Sequence, residues 1–182
     1  MVTRRSILFA AAAALLLAVS SLAQTSPTAE GENVPVFSLT VDPPAAPITL
    51  GFTLGSRIDI TVTLKNISGK EIYLSWDRGQ DTVYRAFSVL LTHDSREVET
   101  TYFERLITGR MRPSDPDPTL ETLSRSSISL PSPPEKMFVM TIDLTRLYEI
   151  TEPGPYTLTV SRFDEYSKTV VHAKPLTLNI VR

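Results

Sequence analysis

The chain contains no cysteine. That excludes disulfides, thiolate metal sites, a cysteine nucleophile and a lipid-anchoring cysteine behind a leader. Only two histidines occur, His93 and His172, and no His-Glu-x-x-His is present. Neither histidine has a second one at ligand spacing, so both read as surface residues and no metal or cofactor is expected. Glycine is scarce, seven residues against 14 prolines. A phosphate-cradling glycine loop and the Gly-x-Ser-x-Gly elbow of hydrolases are both missing. No apolar run reaches the roughly 20 residues a membrane span needs. The longest, Ile7–Val19, has 13.

That short run has an identity of its own. Arg4 and Arg5 precede it, and Ser21-Leu22-Ala23 follows it with small residues where a signal peptidase reads. This is the three-part layout of a secretory signal peptide, cleaved before Gln24. The expected location is the periplasm or the extracellular space. Thr3-Arg4-Arg5-Ser6 also resembles a twin-arginine export signal. The strongly apolar Ala/Leu run favours the general secretory route.

Removing residues 1–23 from 182 leaves 159, enough for one domain. A chain of that size buries roughly 68–70% of its unfolded surface. The leader carries two of the 18 basic residues and no acid. The remainder therefore has 16 Lys and Arg against 20 Asp and Glu, a formal charge of −4. Such a surface has no long-range attraction for nucleic acid or anionic lipid. No membrane span is expected once the leader is removed. Gln24–Asn33 is polar and aperiodic and reads as a flexible leader to a domain spanning 34–182.

Within that domain the apolar period is two. Phe37–Val41 alternates. Ile58, Ile60, Val62 and Leu64 point one way; Arg57, Asp59, Thr61 and Thr63 point the other. Asn66–Lys70 supplies turn chemistry, and Glu71–Trp76 follows with Ile72, Leu74 and Trp76 on one face. These two strands are expected to form a hairpin. Asn66-Ile67-Ser68 fits a glycosylation sequon but is read as part of the turn. Further strands are expected at Ala86–Thr92, Arg96–Thr101, Ser127–Leu130, Lys136–Ile142, Tyr156–Ser161 and Pro175–Val181. Phe103, Leu106, Ile107 and Met111 are spaced for one or two helical turns, and Leu144–Ile150 for one. Seven to nine short strands with a turn every 8–12 residues predict an all-β, immunoglobulin-like antiparallel β-sandwich.

The Leu144–Ile150 turn, Pro153-Gly154-Pro155 and the Tyr156 strand, with Asn66 and Trp76 upstream, resemble immunoglobulin-like domains of bacterial secreted proteins. Two families come closest. One is the BsuPI-type proteinase inhibitors; the other is the sandwich that precedes the catalytic domain of peptidyl-lysine metalloendopeptidases. The resemblance implies a fold and transfers no site residue. In such domains a tryptophan packs in the core and a tyrosine hydroxyl ties a corner to nearby backbone. Trp76 and Tyr156 are the candidates.

Folding explains Tyr102–Arg125 least. It carries Tyr102, Arg105, Arg110, Arg112 and Arg125, residue types enriched in recognition patches. The expected function is a non-enzymatic module that binds a protein or an envelope glycan through its loops. A rival is a proteinase inhibitor presenting the Pro-rich 113–118 or 131–134 segment. A small hydrolase is the remote alternative. Glycan binding would need exposed rings on one platform, with Tyr84, Tyr102 and Tyr166 as candidates.

Overall fold

The computed structural model describes residues 34–43, 51–77, 81–118 and 126–182. The signal sequence, the 24–33 leader and Arg125 lie outside them. Among the described residues no helix is long and apolar enough to cross a membrane.

The described chain is an antiparallel β-sandwich. One layer holds β1 (Phe37–Asp42), β3 (Asp59–Asn66) and β8 (Met137–Asp143), in the order β1-β3-β8. The other is built on β5 (Ser88–His93), β9 (Gly154–Asp164) and β11 (Leu176–Val181), with β9 in the middle. These orders match the A-B-E and C-F-G arrangement of immunoglobulin-like sandwiches. Three short strands extend the second layer: β2 (Phe52–Thr53), β6 (Arg96–Glu97) and β10 (Thr169–His172). The β2–β11 pairing is parallel. β4 (Ile72–Asp77) and β7 (Ser127–Ser132) form a separate two-stranded sheet.

The expected alternation is present. Ile58, Ile60, Val62 and Leu64 are all buried, as are Ile72, Leu74 and Trp76. Together with Leu91, Ile142, Leu158, Leu178 and Ile180 they fill the space between the layers. The Tyr156 hydroxyl donates to the Glu152 carbonyl at 2.7 Å, which fastens the corner that Pro153 and Gly154 make. Asp94 and Ser95 both have positive φ, 48° and 63°, and close the β5–β6 hairpin with the mirror-image turn that strand twist favours.

The β3–β4 hairpin does not form. Both edges of β3 are already taken, one by β1 from Phe37 to Asp42 and the other by β8 from Met137 to Asp143. The chain leaves β3 at Asn66, crosses to the other side of the core and pairs β4 with β7 instead. Two further expectations shrink. The return from Asp94-Ser95 pairs only through Glu97, and the Leu144–Ile150 turn is a 3-10 turn over Leu144–Arg146. A short helix not expected from the sequence, α1 (Thr82–Ala86), precedes β5.

Candidate binding surfaces

The arginine segment begins with α2 (Tyr102–Thr108). Thr101 caps it by accepting the Glu104 N–H, and Gly109 ends it at φ 77°. Both are ordinary helix punctuation. The arginines, however, are engaged. Arg105 is 8% exposed. Its Nε and Nη2 donate to the two oxygens of Asp115 at 2.8 and 2.6 Å, and Nη1 donates to the Thr100 carbonyl. Arg110 pairs with Glu104 and lies 3.8 Å from Glu97. Arg112 pairs with Glu99. The Tyr102 hydroxyl reaches the Pro116 carbonyl at 3.4 Å. Three of the four arginines thus meet carboxylates of their own chain, and the fourth, Arg125, lies outside the described residues. Spacing alone hides this, because Asp115 sits ten residues past Arg105 in a loop with no regular period.

Asp115 locks the Pro-rich 113–118 segment to α2. Its carboxylate accepts the Arg105 fork and also the Arg112 N–H at 2.8 Å. The Arg105 hydrogen bonds, with the Arg112 N–H next, hold its pKa down at about 2 instead of the usual 3.8. A folded-state pKa below the unfolded one stabilises the fold above the unfolded value. That stabilisation disappears as pH falls through the folded value. The melting temperature of the native protein is therefore expected to fall between about pH 4 and pH 2 more steeply than that of Asp115→Asn. Parallel slopes in thermal melts across that range would show that the lock is not formed in solution.

A second cleft, about 420 Å³, opens beside His93. Asp94, Glu97, Glu99, Glu149 and Glu152 line it. The His93 ring stacks on Tyr156 at 4.3 Å, with Nδ1 2.9 Å from the Pro155 carbonyl. A Cβ on Gly154 would come within 2.6 Å of this ring, so the glycine is required for the histidine's seat. His172 stands elsewhere, exposed on β10. No group of three ligating side chains able to hold a metal occurs among the described residues.

A further cavity was not legible in the sequence. It is a groove of about 700 Å³ between β4 and the end of β9. Tyr73 of β4, Phe163 of β9 and Tyr166 of the β9–β10 turn line it, 56%, 47% and 48% exposed. Tyr84 lines it too; Tyr102 does not. No strand pairs with the groove side of β4 among the described residues. Side chains stand there instead. The Tyr166 hydroxyl accepts the Tyr73 N–H at 2.7 Å and donates to the Tyr73 carbonyl at 3.2 Å. Arg162 donates to the Ser75 carbonyl at 2.7 Å and the Ala86 carbonyl at 3.1 Å. Its guanidinium lies over Trp76 at 4.5 Å and Phe87 at 5.7 Å. Burial holds its pKa below the ordinary arginine value. No carboxylate among the described residues is within ion-pair distance of it.

No family model matches the chain, and no curated protein matches it. Among solved structures, the CARDB domain of the PF1109 protein from Pyrococcus furiosus, in complex with di-metal ions, is similar in shape. It is 11% identical over 81% of this chain and 89% of that chain, with a TM-score of 0.40. The β-glucosidase from Listeria innocua, in complex with isofagomine, is 17% identical over 79% of this chain, with a TM-score of 0.39. The match covers 16% of the glucosidase. Likeness at this level carries no inference about function.

Proposed function

We propose that the protein is an exported, non-enzymatic binding module whose partner is a protein of the cell envelope. Export rests on the leader, residues 1–23. The recognition surface in this reading is the groove along β4, not the arginine segment. One observation carries it: three half-exposed aromatic side chains, Tyr73, Phe163 and Tyr166, converge on this groove of about 700 Å³. Tyrosine and other aromatics offer large contact area with few rotatable bonds and anchor many interfaces. Arg105, Arg110 and Arg112, by contrast, already have carboxylate partners, which weakens their claim to a ligand's charge.

The test is capture from an envelope extract of the producing cell on the immobilised protein. A partner is expected to be retained by the native protein and by Arg110→Ala/Arg112→Ala. Tyr73→Ser/Phe163→Ser is expected to lose it, since central aromatic anchors contribute about 2 kcal/mol or more each. The opposite pattern would return the site to the arginine segment. Capture that survives protease treatment of the extract would identify a glycan instead.

A further inference from the structure

The groove side of β4 has the hydrogen-bonding pattern of a strand whose neighbour is missing. In an antiparallel ladder, alternate residues send both N–H and C=O to the same neighbouring strand. Tyr73 sends both to the single Tyr166 hydroxyl. Its N–H is therefore not given to β7. Ser75, two residues on, points the same way, and its carbonyl takes Arg162. One hydroxyl and one guanidinium occupy places where a neighbouring strand's backbone would stand. Natural edges are usually blunted by proline, lysine or a covering element. Among the described residues this edge is covered only by side chains, and Tyr166 belongs to the β9–β10 turn.

The groove also has a charge to satisfy. Arg162 and Arg85 both line it, and neither is ion-paired among the described residues. Of the acids lining it, the Asp164 carboxylate is consumed by the N–H groups of Val36, Tyr166 and Ser167. Glu165 pairs with Lys168. Asp77, at the far end of β4, is the remaining acid. Arg162 is therefore the guanidinium of the groove left without a carboxylate among the described residues, held only by backbone carbonyls and aromatic rings.

Resting on the groove reading above, we propose that the occupant is an extended segment of the partner protein that carries a carboxylate. It adds to β4 as a strand. Its backbone replaces the Tyr166 hydroxyl on Tyr73 and reaches the Ser75 N–H. Its acidic side chain pairs with Arg162. A strand six residues long, as β4 is, spans about 20 Å. Strand addition of this kind draws affinity from main-chain bonds and specificity from alternate side chains.

The probe is a fluorescein-labelled peptide of alternating valine and aspartate, titrated against the purified protein by anisotropy. Ser75→Pro deletes the edge N–H while leaving the β7 side intact, a position where an edge strand accepts proline. Binding by the native protein is expected to weaken about tenfold in Ser75→Pro. It is expected to tighten in Tyr166→Phe, which removes the competing hydroxyl. A peptide with lysine for aspartate should bind about tenfold more weakly than the acidic one. No binding at about 1 mM native protein, or equal binding by a folded Ser75→Pro, overturns strand addition. If Ser75→Pro does not fold, unchanged or weaker binding by Tyr166→Phe overturns it. Equal binding of both peptides overturns the carboxylate. An envelope partner lost with Tyr73→Ser/Phe163→Ser but kept by Ser75→Pro would leave the groove reading standing and remove this one.

Discussion

Ile60→Asp is expected to unfold the domain outright. Ile60 is the second residue of β3 and has no exposed surface. β3 is itself the middle strand of its layer, with β1 on one side and Ile142 of β8 directly opposite on the other. A carboxylate there would face Val62, Leu64 and the inner residues of the second layer. An unpaired buried charge costs several kcal/mol, against a total stability of about 5–15 kcal/mol for a domain. Asp59→Ala, one residue earlier, is the control. Asp59 meets only the exposed Arg57, at 2.8 Å, and Arg57 keeps Asp143 at 3.3 Å when Asp59 is removed. Exposed pairs contribute about 0–1 kcal/mol. Circular dichroism and urea unfolding of both variants decide the matter. Equal losses would mean that the inward and outward faces of β3 are wrongly assigned.

That prediction can be made from sequence because side-chain period is local. Alternation in Arg57–Leu64 separates core from solvent without any knowledge of neighbours, and the same holds for Ile72, Leu74 and Trp76. Pairing is not local. The turn chemistry of Asn66–Lys70 fits a hairpin as well as it fits a crossing. Only the prior occupation of both β3 edges by β1 and β8 makes it a crossing. Helix α1 was invisible for another reason. It has five residues, none of them buried, and its N-cap Asp81 turns its carboxylate to Arg146 instead of capping the helix, so it carries neither a period nor a working cap. Strand β10 is four residues with half-buried and exposed positions alternating, below the length at which a pattern stands out.

The candidate site divides in the same way. The α2 segment could be picked out because arginine and aromatics cluster along the chain. Their partners could not, because Glu97, Glu99 and Asp115 come from strand and loop. The groove was hidden for the converse reason. Tyr73 and Tyr166 lie 93 residues apart and meet only because β4 crosses the core. Trp76 was read as a core residue, and it is 5% exposed. Nothing in its neighbourhood of sequence announces that Arg162 stacks on it.

Asn66→Ala is expected to be the most damaging polar substitution, and its consequences should reach the groove. Asn66 has no exposed surface. The side-chain amide donates to the carbonyls of Lys70 and Ser132, at 2.8 and 2.6 Å. Its oxygen accepts from the N–H and hydroxyl of Ser68, at 2.9 and 2.8 Å. One residue thereby shapes the turn and ties it to the end of β7, while its backbone bonds to Glu135 and Lys136 before β8. This burial also removes the sequon from reach of a glycan in the folded chain. Truncation leaves the buried Ser132 carbonyl without this donor, at about 1–3 kcal/mol for a stranded buried group. With the turn bonds lost as well, about 2–4 kcal/mol of stability should disappear. Ser68→Ala removes a half-buried hydroxyl that bonds Asn66 and the Lys70 carbonyl but strands no fully buried group, and should lose about 1 kcal/mol. Asn66→Asp separates the two halves of the network: the acceptor for Ser68 is kept, both donors are lost and a buried charge is added. It should be at least as destabilising as alanine at pH 7 and recover part of the loss in acid, where a protonated carboxyl donates again. Urea unfolding of the three variants gives the order. Because β4 starts six residues after Asn66, its loss should also free the β4 edge from its fixed place and weaken groove binding before the domain melts. An Asn66→Ala protein as stable as the native one would mean that the crossing is held by β4–β7 pairing alone.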